Sequence, residues 1–177
     1  MWTKNSGIGV KEGLLPNLET LNLSCCDELV DEGLAEILII SRSKLRYLNV
    51  VRTNITVIGF EEEVKSLSNL ETLNLDSCDE LEDAGLVKIL RISRSKLRCL
   101  KVSWTSITGV GFKDGVKSLP MLKNLELVYC EKLTEEGLLE ILSVTGNSLK
   151  IVRVYGTSIS TAVKETLRLQ YTSVNIA

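Results

Sequence analysis

The sequence predicts a right-handed α/β solenoid, with a parallel sheet lining a concave face and helices covering a convex one. Three observations predict it: a hexapeptide recurring at a fixed shift, strict apolar–polar alternation within it, and helix-spaced apolar residues after it. Leu18-Glu19-Thr20-Leu21-Asn22-Leu23 returns as Leu70-Glu71-Thr72-Leu73-Asn74-Leu75 and as Leu122-Lys123-Asn124-Leu125-Glu126-Leu127, 52 residues apart each time. A second series, Leu45 to Val50, Leu97 to Val102 and Leu149 to Val154, lies between them with the same shift. The unit is therefore a pair of unequal repeats, 27 and then 25 residues between strand leucines. Residues 18–48 and 70–100 agree at 23 of 31 positions, which marks a repeated structural unit.

Each element follows from its residues. Leu21-Asn22-Leu23 and its counterparts alternate apolar and polar side chains, the period-2 pattern of a short strand with one buried face. Leu21 and Leu23 point inward, so Thr20, Asn22 and Ser24 face the concave surface. In the longer repeat, Asp31, Asp83 or Thr134 is expected to cap a helix carrying Leu34, Ile37 and Leu38, or their counterparts, on one face. In the shorter repeat, Thr56 or Thr108 is expected to cap a helix burying Phe60, Val64 and Leu67, or Phe112, Val116 and Leu119. One repeat cannot bury its own apolar face, so neighbours must stack.

The whole chain, 1–177, reads as a single solenoid domain. Trp2-Thr3 and Gly7 to Gly13 mirror Trp104-Thr105 and Gly109 to Gly115. Residues 1–17 thus read as a partial N-terminal repeat, and the chain as a fragment of a longer array whose uncapped end invites self-association. Residues 18–166 hold six repeats in three 52-residue pairs, and 167–177 form a C-terminal cap in which Val174 and Ile176 make a last edge strand.

Composition narrows the function. The 21 basic and 23 acidic residues are mixed along the chain and leave a net charge of −2, with no footprint for nucleic acid or an anionic membrane. Apolar runs such as Leu34 to Ile40 are too short to span a bilayer, and no secretory leader opens the sequence. Histidine is absent, which removes Ser–His and Cys–His nucleophile pairs and histidine metal sites. No cofactor is expected.

The repeats read L-x-x-L-x-[LV]-x-x-[CT], and the chain resembles the cysteine-containing, ribonuclease-inhibitor-like branch of the leucine-rich-repeat superfamily. The residues that carry the likeness are Leu21 to Leu29, Leu73 to Leu81, and the segments Asp31-Glu32-Gly33-Leu34 and Glu135-Glu136-Gly137-Leu138. The shorter repeats depart from it by placing Thr53, Thr105 and Thr157 where the family prefers Asn or Cys. The resemblance implies a horseshoe arc that serves as a binding scaffold: an inhibitor, a substrate receptor of a ubiquitin ligase, or the sensor arm of a nucleotide-binding immune receptor.

Cys26, Cys78 and Cys130 recur with the 52-residue unit, which places them two strands, roughly 10 Å, apart. That exceeds the roughly 7 Å Cα limit for a disulfide, so the ladder should consist of reduced thiols. Cys25 and Cys99 fall off the ladder, on the concave face or its rim, and no C-x-x-C pair suggests zinc. Reduced cysteines point to the cytoplasm or the nucleus, the cytoplasm being the expected location. Asn22 and Asn54 stand in glycosylation sequons, but Asn22 falls within a strand, so both are discounted.

Carrying the alternation along the chain gives concave rows of one residue per strand. The central row is Asn22, Asn49, Asn74, Lys101, Glu126 and Arg153, its first half a candidate polar ladder. Glu19, Arg46, Glu71 and Arg98 alternate in charge at the strand entrance, where neighbours neutralise each other. At the strand exit, Trp104, Tyr129 and Tyr155 gather beside Lys101, Glu126 and Arg153. Aromatic residues with arginine are the usual anchors of interfaces, so these six residues are the expected partner-binding site. The sequence therefore predicts a non-catalytic module that reads a protein or peptide on its concave face, with neither nucleic acid nor membrane as partner. The favoured parent is an innate-immune or signalling receptor with this chain as its C-terminal sensor region; the alternatives are a ubiquitin-ligase substrate receptor and a structural spacer. The rival enzymatic reading has only Cys99 with Lys101, or Asp76 with Glu126, as concave candidates.

Overall fold

The computed structural model describes residues 17–41, 44–58, 64–172 and 174–177. Seven parallel strands form one sheet in strictly sequential order: β1 (Thr20–Asn22), β2 (Tyr47–Asn49), β3 (Thr72–Asn74), β4 (Cys99–Lys101), β5 (Asn124–Glu126), β6 (Ile151–Arg153) and β7 (Asn175–Ile176). Sequential parallel order requires every connection to return behind the same face. Among the described residues, helices α1 (Asp31–Ser41), α2 (Asp83–Ser93), α3 (Phe112–Gly115), α4 (Glu135–Thr145) and α5 (Thr161–Gln170) occupy five of the six returns. The other face of the sheet is left open. This is the α/β solenoid that the repeats predict.

The middle residue of every strand from β1 to β6 is buried, and Leu48, Leu73, Leu100 and Leu125 stack in register. Together with Leu34, Ile37 and Leu38 of α1, and their counterparts in α2 and α4, they make one continuous core. The expected edge strand forms: β7 pairs with β6 through Ile151↔Asn175 and Val152↔Ile176. Helix α5 runs across residue 167, where the cap was expected to begin. The partial repeat at 1–17, and with it the uncapped end expected to self-associate, lies outside the described residues but for Asn17, as does Phe60.

Two expectations about helix starts need correction. Thr134 caps α4 as expected, accepting the Gly137 N–H at 2.9 Å. Asp31 and Asp83 instead stand as the first residues of their helices and reach forward into the next repeat. Asp83 accepts the Thr108 N–H at 3.1 Å and the Gly109 N–H at 2.8 Å, and also receives the Thr108 hydroxyl. Asp31 holds Thr56 and Val57 in the same way. Thr108 is thus occupied with Asp83 and caps no helix; Gly111, at φ +82°, takes that place for α3. The helix expected over Phe112 to Leu119 is one turn only, because Val116 is already extended at φ −116° and ψ 108°. Gly111 and Gly115 flank the turn and Pro120 follows, and these residues disfavour a longer helix. Phe112, Val116 and Leu119 are nonetheless fully buried, so the apolar spacing is met without the helix.

Candidate functional site

Each strand from β1 to β6 leaves the sheet through a residue in the left-handed region: Cys25, Arg52, Ser77, Trp104, Tyr129 and Gly156, with φ between 55° and 71°. For a side-chain-bearing residue this conformation costs about 1–2 kcal/mol, so the surrounding structure must impose it. The sheet ladder does so. Each of these N–H groups from Cys25 to Tyr129 donates to the next repeat, as Trp104 does to the Val128 carbonyl at 2.9 Å and Tyr129 to Tyr155 at 2.8 Å. The residue that follows turns the chain inward. Thr53 and Thr105 donate to Val50 and Val102 carbonyls at 2.7 and 2.6 Å, and the thiols of Cys78 and Cys130 donate to the same two oxygens at 3.2 and 3.1 Å. Threonine therefore substitutes for cysteine in the shorter repeats as a second buried donor to one carbonyl.

All five cysteines are free thiols. Burial pushes the Cys78 and Cys130 thiols up from their ordinary range, against the smaller opposing effect of bonds to Thr53 and Thr105. Cys99 lies on the open face of β4, and there too burial raises the thiol, the direction that weakens a nucleophile. Asp76 accepts the Ser103 N–H at 2.7 Å, yet burial, helped by the Glu126 carboxylate, holds its pKa above the usual carboxylate value.

The six expected site residues occupy the last positions of β4, β5 and β6 and the exits that follow them. Trp104 stacks on Tyr129 with ring centroids 4.1 Å apart and planes at 23°. Tyr155 meets Tyr129 edge-on at 5.4 Å and 86°. Gly156 makes room for this: a Cβ there would lie 2.4 Å from the Tyr129 ring. Trp104 remains 52% and Tyr155 65% exposed, so the rings form an outward surface and are not folded into the core. Beside them, Glu126 pairs with Lys101 at 3.3 Å and with Arg153 at 2.9 Å.

The asparagine half of the central row behaves differently from a cross-strand ladder. Asn22, Asn49 and Asn74 each turn Oδ1 back to accept the N–H two residues on, at 3.0–3.1 Å, which secures the strand exit. At the entrance, Arg46 lies 3.9 Å from Glu19 and 2.8 Å from Glu71, and Arg98 lies 4.0 Å from Glu71. Glu19, Arg46 and Glu71 line a shallow, wide-open depression together with Lys44, Asn69 and Lys96. The entrance row continues further than the sequence reading took it: the Lys123 N–H donates to Arg98 and the Lys150 N–H to Lys123, both at 2.8 Å. The 52-residue shift from Glu71 to Lys123 and from Arg98 to Lys150 was the available signal.

The architecture is that of a repeat scaffold with one sheet face free for contact. Family comparison agrees: a leucine-rich-repeat family model matches residues 15–38 and 66–90. F-box/LRR-repeat protein 4 of Bos taurus is 30% identical over 123 residues, 68% of this chain but only 19% of that protein. The chain is a leucine-rich-repeat protein. Among the described residues, no helix is long and apolar enough to cross a membrane.

Proposed function

We propose that the chain is a non-catalytic recognition module that holds a protein or peptide segment on the open face of β4–β6. Trp104, Tyr129 and Tyr155 serve as anchors, and Lys101, Glu126 and Arg153 as polar contacts. The observation that carries this reading is the contiguous ring array, exposed at Trp104 and Tyr155 and half-buried at Tyr129, on a backbone already fixed in the sheet ladder. Such an array loses little conformational entropy on binding, and aromatic and arginine side chains dominate interface energetics. Leucine-rich repeats themselves point to protein interaction.

Of the two parent types, the substrate-recognition region of a ubiquitin-ligase receptor is favoured by the likeness to a protein named for an F-box and leucine-rich repeats. The sensor-region reading, in an innate-immune or signalling receptor, rests on the fold resemblance alone. Five free thiols suit a reducing compartment such as the cytoplasm.

The test is quantitative affinity capture with the intact chain and with the W104A/Y129A/R153A variant. Partners held by the first and lost by the second support the reading; identical partners in both refute the site. For the ubiquitin-ligase form, partners so identified should turn over more slowly in cells carrying the chain in excess as a competitor. Unchanged turnover removes that form.

A further inference from the structure

The entrance row changes character halfway along the sheet. On β1–β3, Glu19, Arg46 and Glu71 neutralise one another. On β4–β6 the row is Arg98, Lys123 and Lys150, adjacent across strands about 4.8 Å apart, with both lysines exposed. In the central row, one carboxylate, Glu126, sits between Lys101 and Arg153. The open face of β4–β6 therefore carries five cations against a single acid of its own, Arg98 alone reaching a further carboxylate, Glu71 of β3 at 4.0 Å, in a chain whose net charge is −2. Like charges directly opposite on neighbouring strands are destabilising. An anionic partner lying across them reverses that cost.

The geometry points to an acidic peptide segment bearing an aromatic or large apolar side chain as the occupant of this face, an inference that rests on the recognition reading above. Its carboxylates would meet Arg98, Lys123 and Lys150, and its apolar side chain would meet Trp104 and Tyr155. The basic and aromatic zones lie six residues apart in sequence, 98 to 104 and 123 to 129, which the turn at each strand exit keeps below roughly 20 Å. About six extended residues cover that distance. The strip between them holds Cys99, Asn124 and Ile151, and Glu126 with its charge taken up by Lys101 and Arg153. A peptide can place its charges at one end and an uncharged stretch over Glu126.

The test is selection from a library of short random peptides on the immobilised intact chain, followed by anisotropy titration of the survivors. Survivors should be rich in Asp and Glu, carry at least one aromatic residue, and bind more weakly as salt rises. The K123E/K150E variant should weaken them at least about tenfold with unchanged circular dichroism, and K123Q/K150Q should weaken them less. A pool without acidic enrichment, or binding indifferent to both variants, overturns the inference. So does tighter binding of a mixed-sequence single-stranded oligonucleotide. Survivors that are not acidic but are lost with W104A/Y129A/R153A would overturn the acidic occupant and leave the recognition site standing.

Discussion

Gly137→Ala tests whether backbone contact between successive repeats sets the rise of the solenoid. Gly137 lies in the first turn of α4, with its N–H held by Thr134. A Cβ there would stand 2.0 Å from the Thr108 carbonyl oxygen and 2.8 Å from both the Cα and carbonyl carbon of Gly109. Ordinary contact begins at 3.4 Å, so helix and loop must part by about 1.4 Å, 3.4 less 2.0. The loop resists, because Asp83 holds the Thr108 and Gly109 N–H groups and Thr134 N–H donates to Thr108 at 3.1 Å. Alanine is worth about 1 kcal/mol over glycine inside a helix. Against that, overpacking costs about 1–3 kcal/mol, and each strained cross-repeat hydrogen bond about 1 kcal/mol more. The clash meets backbone and not a pliable side-chain tip, so the net loss should be about 2–4 kcal/mol. Urea unfolding followed by circular dichroism measures it, with Gly111→Ala as the contrast. At Gly111 nothing lies within 4 Å, and only the φ of +82° is strained, at about 1–2 kcal/mol. If Gly137→Ala loses no more stability than Gly111→Ala, the contact between repeats is not what requires glycine.

Asp83→Ala should cost about 2–3 kcal/mol in the same assay, because three donors of the next repeat lose a charged acceptor; a loss confined to a few tenths would show that the loop holds itself. Burial raises the folded pKa of Asp76, so its charged form disfavours folding at neutral pH, and that penalty fades as pH falls through the folded pKa. Asp76→Asn should therefore match or exceed the parent in stability at neutral pH and lose that advantage in acid; a clear loss at neutral pH contradicts the sign. In timed alkylation read by mass spectrometry, exposed Cys25 should react first, and Cys78 and Cys130, buried with raised thiols, only on unfolding. Labelling of Cys78 at the rate of Cys25 in the folded chain would argue against the buried ladder. Gly156→Ala should push the Tyr129 ring off Trp104 and shift tryptophan emission, and an unchanged spectrum would mean the stack survives without that space.

Much of the fold was legible because stacking repeats constrains the same positions in every unit. Leucine at 21, 48, 73, 100 and 125 faces one core, and a period of two residues is enough to say so. Helix length was less legible, since Phe112, Val116 and Leu119 satisfy burial at helical spacing while only Phe112–Gly115 is helical. Spacing reports which side chains are buried, and the flanking glycines and proline decide whether the backbone between them coils. The role of Asp31 and Asp83 was misread for a related reason. An acid ahead of apolar helix spacing fits a cap, but its partner stands 25 residues away in the next repeat, and local sequence says nothing of that distance.

The candidate site shows the same division between neighbours and interactions. Repeat arithmetic put Trp104, Tyr129 and Tyr155 on adjacent strands, and the rings do touch. It did not show that their exits are left-handed, because only Gly156 among the six residues advertises a positive φ; the ladder imposes it on the rest. Nor did whole-chain charge reveal the basic row. A balance of 21 against 23 is an average over two faces, and acids such as Asp31, Glu32, Asp83, Glu135 and Glu136 stand at helix starts, away from the open sheet face. Negative charge there is favoured by the helix dipole. Placing acids on the convex side leaves the cations of β4–β6 without equal opposition on the open one. In a solenoid, charge is therefore informative row by row, and its sum over the chain excludes far less than it does for a compact domain.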